Sequence, residues 1–121
     1  MKVCIMLLAI LSISYPAFGS ERDYQDLWCN QNHGEVEFRL PDATRVDCLT
    51  DTHAVEMDFG RKWAEAIGQS LYYASCTGKR AGVVLIVDKS KEGRYLRRLN
   101  EAITYAKLPI DVWIMDSKVL P

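Results

Sequence analysis

The chain has 121 residues and a formal net charge of −1, which leaves room for one domain and excludes a globally basic, histone-like polyanion binder. No repeat, low-complexity tract or linker interrupts the part that follows a leader, so a single domain is the expectation. Once a leader is set aside, about 100 residues remain, enough for a modest core.

That leader comes first. Lys2 is a short positive start, Val3 to Ile13 is an almost unbroken apolar run, and Ala17-Phe18-Gly19 offers small residues where a signal peptidase cuts. The reading is a secretory signal over residues 1–19, cleaved after Gly19, and a single domain over 20–121. The alternative is a retained membrane anchor, for which the run is shorter than the roughly 20 residues that span a bilayer. Export implies a periplasmic or secreted protein with no membrane contact after cleavage. Loss of the leader removes Lys2 and no acid, moving the formal charge from −1 to about −2. Lys79, Arg80, Lys89, Lys91, Arg94, Arg97 and Arg98 form a local basic bias, as a solvated helix face or as a patch for a nucleic-acid partner.

The predicted elements follow in order. Residues 22–32 read as a helix with Tyr24, Leu27 and Trp28 on one side, ended by His33-Gly34. Residues 35–40 alternate like a half-buried strand, and Pro41-Asp42-Ala43 is a turn. Arg45 to Leu49 is a second strand. After Thr50-Asp51-Thr52, His53 to Phe59 is a third, with Val55, Met57 and Phe59 on one face and Ala54, Glu56 and Asp58 on the other. The longest helix spans about residues 61–76 and packs through Trp63, Ala66, Ile67, Ser70, Leu71 and Ala74 before Thr77-Gly78 ends it. Gly82 to Val87 is a continuous apolar run, the mark of a strand covered on both faces. Glu92 to Ala106 is an amphipathic helix stopped by Pro109, and Ile110 to Ile114 is the last strand. The order α-β-β-β-α-β-α-β predicts a mixed central sheet in an α/β core.

Cys29, Cys48 and Cys76 follow the leader. In an oxidising compartment the expected bond is Cys29–Cys48, joining the first helix to the second strand and contributing roughly 3 kcal/mol. The alternative is three reduced, buried thiols. His33 and His53 stand isolated and read as turn or surface residues.

The chemistry gathers in the sheet. A turn over residues 50–53 pairs Leu49 with Ala54, Cys48 with Val55, Asp47 with Glu56 and Arg45 with Asp58. Asp47 and Glu56 then stand on one face with β-carbons about 4.5–5.5 Å apart. Two carboxylates that close do not both ionise cheaply without a cation, and a hard ion such as Mg²⁺ or Mn²⁺ suits oxygen ligands. Glu37 offers a third oxygen, and a cross-strand salt bridge from Arg45 is the plain role for Asp58. On the long helix, Lys62, Gln69 and Tyr73 fall within about 20° of one stripe. Lys62 is placed to steady a phosphate or a hydroxide there, and Gln69 to orient it.

These pieces resemble the PD-(D/E)XK, or restriction-endonuclease-like, nucleases. Asp47 matches the strand aspartate, Glu56 the acid of the (D/E)-x-K element, and Glu37 the upstream acid. Gln69-Ser-Leu-Tyr-Tyr73 is similar to the Q-x-x-x-Y helix motif of RecB-type members. The departure is Asp58, which stands where the family has lysine; Lys62 at the helix start is the candidate replacement. The resemblance implies a restriction-endonuclease-like core and metal-assisted hydrolysis of phosphodiesters by Asp47, Glu56, Asp58, Lys62 and Gln69. It also implies metal ligands Asp47, Glu56 and Glu37, a nucleic-acid contact at Tyr73 and no small-molecule cofactor. The alternative is a catalytically degenerate relative that binds nucleic acid or a protein partner.

Overall fold

The computed structural model describes residues 19–121; the expected leader, apart from Gly19, lies outside the described residues. Helix α1 (Glu21–Gln31) starts at a capping box. Ser20 Oγ accepts the Asp23 N–H while Asp23 accepts the Ser20 N–H, satisfying donors the helix itself leaves free. Strands β1 (Glu35–Arg39), β2 (Arg45–Leu49) and β3 (His53–Phe59) follow. A 3-10 turn, Gly60–Lys62, leads into α2 (Trp63–Thr77), which stops at Gly78 in the left-handed conformation that glycine adopts without strain. Strand β4 (Arg80–Val87), helix α3 (Gly93–Ala106) and strand β5 (Ile110–Asp116) complete the domain. The element order is the expected one; the sheet strands simply extend further, β4 from Arg80 and β5 to Asp116.

The five strands lie in sequence order, β1-β2-β3-β4-β5. The first three pair antiparallel, and β4 and β5 join parallel to β3 because α2 and α3 return the chain to the same end. The unbroken apolar run of β4 is explained by its two neighbours. Val84 and Ile86 pack with Tyr24, Trp28 and Met57 under α1. Val83, Leu85 and Val87 pack with Ala66 and Leu99 under α2 and α3.

Cys29 and Cys48 are bonded, with Cα atoms 5.7 Å apart and both residues fully buried in the α1 face. The bond ties the C-terminal part of α1 to β2. Cys76 is free and exposed, so the alternative of three buried thiols does not hold. Gly34 is needed beside this bridge as well as after the helix, because a Cβ there would collide with both sulfurs.

Candidate functional site: a buried acidic fork

The β2–β3 ladder follows the predicted register only through Leu49–Ala54 and Cys48–Val55. Beyond that the strands are joined by a side chain: Met57 N–H donates to Asp47 Oδ2 at 2.8 Å. The backbone of Asp47 is held from the opposite side, where the Gln25 side-chain amide of α1 donates to Asp47 O at 2.9 Å and to Glu37 Oε1 at 3.1 Å. Glu37 has a positive φ of 54°, and Asp47 is skipped in the β1–β2 ladder, so the sheet is distorted where these two acids face each other. Gln25 is 3% exposed; the sequence reading had no reason to single out this residue on an otherwise amphipathic helix.

The fork concentrates negative charge. Glu56 is 5% and Asp58 3% exposed, both on the face of β3 that α2 covers. Asp47 is half-buried beside them. Burial, then the charges of Asp47 and Asp58, push the Glu56 carboxyl up to about 10, so the protonated form is favoured at neutral pH. Asp47 is raised to about 6, chiefly by burial and opposed by the Met57 N–H. Asp58 is raised to about 7 by burial and by Glu21 and Asp47, with the Lys62 ammonium pulling the other way. Glu56 Oε2 and Asp58 Oδ2 are buried without a hydrogen-bond partner. Such oxygens are costly unless something satisfies them.

The other expected site residues divide. Lys62 is half-buried at the N-terminal end of α2, where its charge acts on Asp58 and Glu21. It forms no ion pair with either. Tyr73 is 8% exposed and packs on Leu40, Val46 and Ala54, near enough to the acids that burial, then Glu56 and Asp47, push its phenol up to about 12. Gln69 stays on the exposed side of α2, outside the cluster. Glu37 is engaged by Gln25 and lies 3.7 Å from Arg22 and 3.9 Å from Arg45. The expected Arg45–Asp58 pair is therefore not formed: the strands diverge before those positions can meet, and Arg45 turns to Glu37 instead.

Could the residues present hold a divalent cation? The unpartnered oxygens of Glu56 and Asp58, next to an ionisable Asp47, fit a hard ion with oxygen ligands. Among the described residues no three acidic, histidine or cysteine side chains are already spaced to close on one ion. A groove of about 620 Å³ along α3, lined by Leu96, Arg97 and Tyr105, contains none of these acids. What marks the fork is buried charge.

No family model matches the chain, and neither a curated protein nor a solved structure does so.

Proposed function

We propose that the domain is an exported, nuclease-like phosphodiester hydrolase of the restriction-endonuclease-like type, working at the Asp47–Glu56–Asp58 fork. The observation that carries this reading is the pair of unpartnered buried oxygens, Glu56 Oε2 and Asp58 Oδ2, beside an Asp47 locked by Met57. An uncompensated acidic cluster raises the energy of the folded chain, and a functional ligand is a physical reason to keep one. Mg²⁺ or Mn²⁺ bound there would polarise a phosphoryl oxygen and lower the pKa of a coordinated water.

The chain's own residues set the rest. Asp47 presents a carboxylate whose orientation is fixed by the Met57 N–H and, through its carbonyl, by Gln25. Glu56, raised chiefly by burial, would act as a carboxylate ligand if a cation held there offset that cost. Lys62, unpaired at the helix start, is placed to meet a phosphate oxygen, while Gln69 reaches a ligand only from the outer side of α2.

A second reading has its own support. Asp58 occupies the family's lysine position, and among the described residues no cation lies within ion-pair distance of Asp47, Glu56 or Asp58, which favours a degenerate relative that binds nucleic acid or a protein partner. The deciding experiment incubates residues 20–121, disulfide intact, with single- and double-stranded DNA and RNA in Mg²⁺ or Mn²⁺ against EDTA. Metal-dependent cutting lost in Glu56→Ala supports the hydrolase. Absence of cutting by the folded domain moves the reading to the binder.

A further inference from the structure

On the opposite face of the sheet, at its far end, lies a constellation the acidic fork does not use. Thr52 Oγ1 is 2.7 Å from His53 Nδ1, and His53 Nε2 is 2.6 Å from Asp111 Oδ2. The partners assign the proton. Asp111 accepts from Nε2–H, and in the tautomer with that proton on Nε2 alone the Nδ1 lone pair accepts from the Thr52 hydroxyl. Hydroxyl, imidazole and carboxylate thus form one chain of hydrogen bonds across three strands.

Each member is held. Arg80 grips Asp111 through Nε at 2.9 Å and Nη2 at 3.1 Å, and these bonds, with His53, lower its carboxyl to about 2. Trp113 meets the His53 ring edge-on at 5.0 Å. Trp113 can lie over β4 beside His53 because residue 82 is glycine: a Cβ there would come within 2.7 Å of Trp113 Cζ3. The His53 side chain is 15% exposed, and Thr52 is exposed.

Thr52 and His53 also open onto a cleft of about 250 Å³ walled by Trp28, Asn32, Thr50 and Trp113, while Asp111 stands behind them. A hydroxyl at the opening, a base beside it and an orienting acid behind is the arrangement that activates an oxygen nucleophile. A structural turn needs the Thr50 bonds to His53 N and Thr52 N, which are present, but it does not need the Asp111 link from 58 residues away.

The geometry points to Thr52 as an acyl-accepting nucleophile, with His53 as its base and Asp111 as the positioning residue, acting on short-chain carboxylic esters. Thr52 Oγ1 attacks the carbonyl carbon and forms the new C–O bond, and its proton passes to His53 Nδ1. The imidazolium, steadied by Asp111, returns that proton to the departing alkoxide as the old C–O bond breaks. Water then hydrolyses the acyl-threonine to a carboxylic acid and restores the hydroxyl. The small cleft limits the acyl group to a few carbons, and its lining sets the Trp28 and Trp113 rings beside the polar Asn32, His33 and Asp51. This site is independent of the acidic fork.

The test treats the oxidised domain with p-nitrophenyl acetate, follows p-nitrophenolate, and maps the acetyl group by peptide mass spectrometry. Acetylation is expected on Thr52, absent in T52V, retained in T52S, and slower by about tenfold or more in H53Q and D111N. Circular dichroism and an intact Cys29–Cys48 bond establish that each variant is folded. T52V alters only an exposed turn side chain, so it keeps the test decisive if D111N unfolds. An acetyl group found only on lysines or on His33 would overturn the proposal. So would equal Thr52 labelling in wild type and H53Q.

Discussion

The backbone N–H of Met57 donates to Asp47 Oδ2 at 2.8 Å, so a side chain of one strand takes the bond that a backbone carbonyl would otherwise accept. This contact ends the β2–β3 ladder, fixes the aspartate, and brings it against the protonated Glu56. The acidity of the fork follows from that geometry.

Asp58 is raised to about 7 in the fold, whereas the unfolded chain has an ordinary aspartate. Its protonated form is thus favoured by folding, so its stabilisation is full below about pH 4 and is lost as pH rises through 7. The metal-free domain is therefore expected to lose stability between pH 5 and 8, as Asp47 and Asp58 deprotonate. Asp58→Asn should raise stability at pH 8 by on the order of 2 kcal/mol and flatten the profile. Urea titrations at several pH values measure both; a wild-type domain that gains stability toward pH 8 would contradict the buried acidic fork.

Asp47→Ala is expected to abolish divalent-cation binding and leave the domain folded. The substitution removes one acid from a crowded cluster, which offsets the roughly 1–3 kcal/mol lost by leaving Met57 N–H unpaired. Calorimetry with Mn²⁺ reads the affinity. Unchanged affinity in the folded variant removes Asp47 from the site.

Cation binding to the wild type should release protons, chiefly from Glu56, because that carboxyl is pushed up to about 10 without an ion. Affinity is expected to rise from pH 6 to pH 8. Calorimetry in two buffers of different ionisation enthalpy counts the protons, and a pH-independent affinity with none released would show that the ion binds elsewhere.

Reducing the Cys29–Cys48 bond, or replacing both residues by serine, should cost about 3 kcal/mol, given a sequence separation of 19. Thiol titration of oxidised, denatured protein should find Cys76 alone among the described cysteines. Three reactive thiols would contradict the bond.

Gln25→Ala should destabilise the domain by about 1–3 kcal/mol and move the acidic titrations. It frees Asp47 O and Glu37 at a point where the sheet cannot satisfy them itself. A loss confined to a few tenths of a kcal/mol would show that water replaces the amide readily. Thermal denaturation at pH 7 measures it.

Local pattern was enough to set the element order of this chain. Alternation in His53–Phe59, the uninterrupted apolar run in β4, and the stops at Gly34, Gly78 and Pro109 each report a periodicity or a backbone restriction that acts within a few residues. The Cys29–Cys48 bond was legible too, and the short β2–β3 hairpin made its register legible as far as Cys48–Val55. Sequence also placed Asp58 on the same face as Glu56. It did not reveal that Asp58 lacks the Arg45 partner, since pairing beyond Cys48 depends on how far the strands stay together. Gln25 was missed for the same reason: its partners come from other strands. His53 looked isolated only because Asp111 lies 58 residues away and is brought near through parallel strands. Short-range order is written in local sterics and hydrophobic spacing, whereas burial, charge coupling and strand divergence are properties of surfaces that exist only once distant segments have packed.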